Sequence, residues 1–183
     1  MWLYIRQLFE LLLSPSSGWD EVSARAATPE QVERKGFYPW LAVTALSEFV
    51  RLAYNPALTF LGALGAAIIV GGAMFVSLYA ARLLLDVTLR PHVDGTLNVA
   101  KVGVFAEYMV GMTCLFRIVA NLLPASLTLV HFLPLLSALV IFKGARYVGV
   151  KTDSLMTFLF WGVIATVFIP MFATSLLMLV IEP

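Results

Sequence analysis

The chain has 183 residues, 61% hydrophobic and only 13% charged, with a mean hydropathy of +0.92. Soluble domains carry about 25% charged residues, so this composition excludes an ordinary water-soluble protein. A net charge of +1 leaves no basic footprint for nucleic acid, and the single cysteine, Cys114, excludes an intrachain disulfide.

Residues 1–13 read as an amphipathic helix. Trp2, Ile5, Phe9 and Leu12 recur at three- and four-residue spacing, with Arg6, Gln7 and Glu10 away from them. The run is too short to span a bilayer, which takes about 20 apolar residues. It suits a helix lying on the membrane surface, and equally one packed against its own bundle. Arg6 and Glu10 interrupt the apolar run, which is not the layout of a secretory signal.

The water-loving stretch up to Gly36 predicts two short helices. Ser17 is placed to cap the first, through Asp20 and Val22. Thr28-Pro29-Glu30-Gln31 forms a capping box that opens the second, and Gly36 is expected to end it. Residues 1–36 thus form an interfacial and cytoplasmic unit.

Residues 37–183 predict a bundle of five transmembrane helices, at about 38–54, 57–83, 99–121, 125–148 and 155–181. Backbone polar groups inside lipid must be satisfied within their own segment, so an all-α membrane protein follows. Asn55-Pro56 and Leu123-Pro124 make tight turns, and two longer polar loops complete the connections. From Ala57 to Asp86 the second helix is about 45 Å long, against a hydrocarbon core of about 30 Å. It tilts or projects, and Arg82 and Asp86, four apart, would pair on the projection. Pro134 and Pro170 are expected to kink the fourth and fifth spans.

With five spans, the N-terminal region and both long loops share one side. That side holds Arg6, Arg25, Arg34, Lys35, Arg82, Arg90, Lys101, Lys143, Arg146 and Lys151, and the other holds Arg51 and Arg117. Ten against two is a positive-inside bias that puts the amino end in the cytoplasm and the carboxyl end outside.

Several stretches resemble the Yip1-domain family of integral membrane proteins. "LLLSPSSGWDEV" resembles the Ser-Pro segment with a following Trp that opens many bacterial members, and "FYPWLAVTALSEFV" resembles their first span. "VFAEYMVGMTCLFRIVANLLP" resembles the third. "LPLLSALVIFKGARYVGVKTD" resembles the fourth, running into a short basic loop. The resemblance implies five spans, a cytoplasmic N-terminus and a short, bacterial-type member in the inner membrane. Eukaryotic members are associated with prenylated Rab GTPases. Their long N-terminal region with its acidic, Leu-rich stretch is absent here, so Rab binding does not carry over.

Five ionisable residues fall inside the predicted spans: Glu48, Arg51, Glu107, Arg117 and His131. On the third span Gly103, Glu107, Gly111, Cys114, Arg117 and Asn121 form one small and polar stripe within about a third of the circumference. Such a stripe faces other helices, where small residues permit close approach. A lone charge at the bilayer centre costs about 2.5–3.5 kcal/mol. The five are therefore expected to form one intramembrane network joining spans one, three and four. The network serves either helix register or a transport path.

His92 and Asp94 read as solvated turn residues and Cys114 as an inert buried thiol. Two widely separated His and one Cys match no zinc spacing. No nucleophile elbow or metalloprotease helix is present, and "GALGAAIIVGGA" lies inside a span, so no cofactor is implied. The expectation is a non-enzymatic membrane organiser. Its docking surface for a protein partner or anionic membrane lipid would be Arg82, Arg90, Lys101, Lys143, Arg146 and Lys151. The rival is a small transporter or channel running past the five embedded groups.

Overall fold

The computed structural model describes residues 1–93, 95–123 and 133–179. Among them are seven helices and no strand. The first two are short, α1 (Trp2–Leu13) and α2 (Pro15–Arg25). Pro15 sits in the first turn of α2, where its missing N–H would have had no partner anyway. Ser14, rather than Ser17, holds the cap position. Ser17 lies inside the helix with its hydroxyl 2.6 Å from that of Ser14.

Residues 29–53 form one continuous helix, α3. Its capping box is the expected one: Thr28 Oγ1 accepts the Gln31 N–H, and the Gln31 side chain accepts the Thr28 N–H. Gly36 does not end it. Glu33–Phe37 make a wide π turn, the chain runs on as Tyr38–Ser47, and it tightens to a 3-10 helix over Glu48–Ala53. Pro39 accounts for the wide turn. A helical proline offers no N–H, and its ring collides with the carbonyl four residues back. Bonding the Tyr38 N–H to the Glu33 carbonyl, five residues back, re-aims the carbonyls ahead of that ring.

The long helices follow. α4 (Phe60–Leu89) is capped by Thr59, and α5 (Val99–Leu122) by Asn98. α6 is described over Leu133–Val148, and α7 runs Thr152–Met178. Three of these, α4 with its extension to His92, α5 and α7, are long and apolar enough to cross a membrane. The predicted Leu123-Pro124 turn, the first part of the fourth span and His131 lie outside the described residues, as does Asp94. In α7 the kink expected at Pro170 takes the form seen before Pro39. A π turn over Ile164–Phe168 bonds the Ile169 N–H to the Ile164 carbonyl.

The core is built around α5. Residues 102–116 are buried on every side, the mark of a helix enclosed by others, and α1, α3, α4, α6 and α7 all pack on it. The outer helices turn large apolar side chains outward, among them Leu61, Ile68 and Val76 of α4 and Phe160, Phe168 and Phe172 of α7. In a membrane protein this is the surface that acyl chains cover.

α1 lies against the bundle. It buries Tyr4, Gln7, Leu8 and Leu11. The face expected from Trp2, Ile5, Phe9 and Leu12 packs only in part: Ile5 and Leu12 lie against the core, whereas Trp2 is 80% exposed and Phe9 46%. Tyr4 decides the rotation. Its ring fits over Gly36 and Gly111, where any side chain would collide with it, and stacks on Tyr108 at 5.0 Å.

The two long loops are fastened together at one end of the bundle, the loop end. Val93 bridges Val150, the Lys151 N–H donates to the His92 carbonyl, and His92 Nδ1 lies 3.1 Å from Ser154 Oγ. His92 is thus half-buried and engaged, not a solvated turn residue. Gly149, at φ +86°, reverses the chain after α6, and the N–H groups of both Gly149 and Val150 bond to the Ala145 carbonyl.

Candidate functional site

The embedded charges form two clusters on α5 where one network was expected. The first lies at the end of the bundle away from the loops. Glu48 is fully buried where α3 tightens, and its carboxylate accepts from Arg117 Nε at 2.7 Å, Arg117 Nη2 at 3.1 Å, Arg51 Nη1 at 3.2 Å and Asn121 Nδ2 at 2.8 Å. The 3-10 pitch matters here. At three residues per turn, side chains i and i+3 eclipse, which sets Arg51 directly over Glu48. Asn121 Nδ2 also reaches Ser47 Oγ at 2.8 Å, and the Tyr54 hydroxyl donates to the Asn121 carbonyl at 2.7 Å.

The second cluster departs from the expected pairing. Glu107 joins neither Arg51 nor Arg117. It pairs with Arg82 of α4, which also pairs with Glu33 of α3. Ten residues separate Glu107 from Arg117 on α5, about 15 Å of helix, too far for one network. Arg82 is therefore mostly buried and does not belong to a docking surface, and its expected partner Asp86 is taken by Arg90 at 2.6 Å. Two carboxylates share one guanidinium, and Glu107 Oε2 has no hydrogen-bond partner among the described residues. Glu33 and Tyr4, whose hydroxyl donates to the Glu107 carbonyl at 2.7 Å, were not expected here. The signal for Glu33 was Pro39: a helix running through Gly36 carries Glu33 onto the face that meets α5.

The third assembly is a cleft of about 410 Å³ at the loop end. α2 presents Ser16, Asp20 and Ser23 to it, α5 presents Lys101, and α6 presents Lys143 and Arg146, with Trp19 and Tyr147 also lining it. Trp19 is locked in place. Its Nε1 donates to the Val140 carbonyl at 2.9 Å, and its ring stacks on Phe105 and Tyr147 at 5.3 and 5.0 Å. Gly144 makes that stack possible, because a Cβ there would lie 2.6 Å from Phe105 and 3.1 Å from Trp19. Lys101 Nζ stands 5.5 Å from the centre of the Tyr147 ring.

Of the six residues expected to form a docking surface, the structure gathers Lys101, Lys143 and Arg146 around this cleft. Arg90 is exposed and paired with Asp86, and Lys151 is half-buried with its backbone in the loop bridge. No group of three His, Cys, Asp or Glu side chains among the described residues is placed to hold a metal ion. No protein-family model, curated protein or solved structure matches the chain.

Proposed function

We propose that this protein is a non-enzymatic membrane organiser of the Yip1-like type. It crosses the bacterial inner membrane five times, with its amino end and the loop end in the cytoplasm, and docks a protein partner or anionic lipid there. α4, α5 and α7 supply three crossings, and α3 and α6 lie beside them on α5 as the other two. The ten-to-two division of cations supports the orientation.

One observation carries the reading. Arg51, Arg82 and Arg117 are taken up by buried carboxylates, whereas Lys101, Lys143 and Arg146 make no ion pair among the described residues and stand together at a cleft. Charge held in closed pairs fixes helix register; charge left open at a surface is available to a partner. The rival reading, a transporter or channel past Glu48, Arg51, Glu107, Arg117 and His131, draws on the unpartnered Glu107 Oε2.

Cross-linking in native membranes tests the proposal. The intact protein is expected to recover a partner that is lost when Lys101, Lys143 and Arg146 are all changed to Gln. Unchanged recovery, or a Lys151→Cys label reached only from outside, overturns it. Flux in proteoliposomes that Glu48→Gln with Arg51→Met abolishes, folding intact, would install the transporter.

A further inference from the structure

We propose that the loop-end cleft is a binding site for the phosphate of an anionic phospholipid whose acyl chains lie along α6. This deepens the docking reading above and rests on the loop end facing an anionic leaflet.

The first support is the distribution of unpaired charge. Among the described residues, Arg34, Lys35, Lys101, Lys143, Arg146 and Lys151 are the cations without an ion pair, and half of them line this one cleft. Asp20 is the one acid in the lining, so three cations against one carboxylate leave the cleft cationic. Ser16 and Ser23 add hydroxyl donors suited to phosphate oxygens.

The second support is the face of α6 that leads to the cleft. Leu135, Leu136, Leu139 and Phe142 are exposed large apolar side chains. Lys143 and Arg146 follow them, and at 100° per residue all six fall within an arc of about 120°. One strip of helix surface is therefore apolar for two turns and then cationic for one. That is the profile of an amphiphile: chains on the leucines, charge at the lysine and arginine. Phe142 belongs to both the strip and the cleft, and Leu155 of α7 adds a second apolar side chain to the cleft lining, so the strip and the cleft are continuous through Phe142. A free phosphate would use the cations and leave the strip uncovered. An acidic peptide would do the same.

Two features pre-organise the site. Trp19 and Tyr147 are stacked and rigid, and Lys101 is held over the Tyr147 ring. The cavity has room for a headgroup, and the chains must lie outside it.

The test uses the full chain, delipidated in detergent, with native mass spectrometry of retained lipid. Phosphatidylglycerol is expected to bind about tenfold tighter than phosphatidylcholine, since each juxtamembrane cation adds attraction to an anionic lipid. Lys101→Gln, Lys143→Gln and Arg146→Gln together should bring the two lipids level, while Lys143→Arg with Arg146→Lys keeps the preference. Arg34→Gln with Lys35→Gln, away from the cleft, serves as the charge control and should leave it unchanged. Equal binding of both lipids by the native protein, or a preference that survives the triple substitution, overturns the inference. So does displacement of phosphatidylglycerol by equimolar inorganic phosphate, which would make the chains irrelevant. Binding of a polyglutamate peptide without phosphatidylglycerol also overturns it, yet leaves the docking reading standing. The converse result, a lipid preference with no cleft-dependent partner in native membranes, removes protein docking and keeps the lipid site.

Discussion

Arg117 grips Glu48 with two parallel hydrogen bonds across the contact between α5 and α3, Nε to Oε1 at 2.7 Å and Nη2 to Oε2 at 3.1 Å. Paired forks of this kind add geometric specificity to charge. The Glu48 side chain has no exposure, so without these partners its charge would be buried alone. The pair fixes which turn of α3 meets which turn of α5.

Changing both members should therefore cost less than the two single changes added together. Arg117→Met leaves the Glu48 carboxylate with Arg51 and Asn121 only, and breaking a buried pair in this way costs about 3–5 kcal/mol. Adding Glu48→Gln removes the buried carboxylate that has lost its two-bond partner. The double variant is expected to lose less than the sum of the singles, with a coupling of about 1–3 kcal/mol. Thermal unfolding of the four proteins in one detergent measures it, and strictly additive losses would show that the two side chains do not act as a unit.

At the other cluster the arithmetic differs. Arg82 serves both Glu33 and Glu107. Arg82→Met strands two carboxylates and should be the most damaging of the ion-pair substitutions, at or above about 3–5 kcal/mol. Glu107→Gln should be mild, because Glu33 still holds Arg82. Adding Glu33→Gln to Arg82→Met should restore part of the lost melting temperature. An Arg82→Met protein as stable as the native one would mean that the pairs contribute nothing.

The stripe on α5 was legible because it is local. Gly103, Gly111, Arg117 and Asn121 all meet α3 or the residues flanking it: Gly103 abuts Pro29, the Gly111 carbonyl accepts from Trp40, and Arg117 and Asn121 reach Glu48. A 100° periodicity on one helix suffices to group them. The partner of Glu107 was not legible, because it depends on how far α4 slides along α5, and no single-helix pattern encodes that. Gly36 misled for a related reason. A glycine ends a helix only where the chain turns away, and here Pro39 makes the chain widen and continue. The rotation of α1 was hidden as well. Apolar residues occur on both of its faces, and the choice between them is made by the two glycines that receive Tyr4.

Gly111→Ala tests that choice. A Cβ at 111 would overlap the Tyr4 hydroxyl and lie 3.0 Å from its ring carbon, so α1 must shift, weakening the Tyr4–Glu107 and Tyr108–Gln7 bonds. Overpacking of this kind costs about 1–3 kcal/mol. Trypsin should then cut faster at Arg6. Tyr4→Phe removes the atom that collides first, so Gly111→Ala should cost less in that background than alone. A larger cost there would mean that α1 is not seated through Tyr4.

α1 and α2 are further joined through carboxylates that give the contact a pH dependence. Glu21 is 2.5 Å from Arg6 and also faces Arg25. A hydrogen bond shared with Glu10, together with the Arg6 guanidinium, holds Glu21 below the ordinary carboxylate range, and the same shared bond pushes Glu10 above it. The signs are opposite. A raised carboxyl adds stability as the pH falls through its folded value, when Glu10 takes a proton and donates it to Glu21. A depressed one keeps its contribution above its unfolded value and loses it as the pH falls through the folded value. The protection of amides across residues 1–25, taken relative to the intrinsic exchange rate at each pH, should therefore rise slightly between neutral and mildly acidic pH, then fall in stronger acid. Glu10→Gln should abolish the first limb and keep the second, because an amide donates at every pH. Arg6→Ala should shift the second limb to higher pH. Both groups are half-buried and remain in contact with solvent, so salt should flatten the profile; a profile insensitive to salt and to both substitutions would place the origin of the pH response elsewhere.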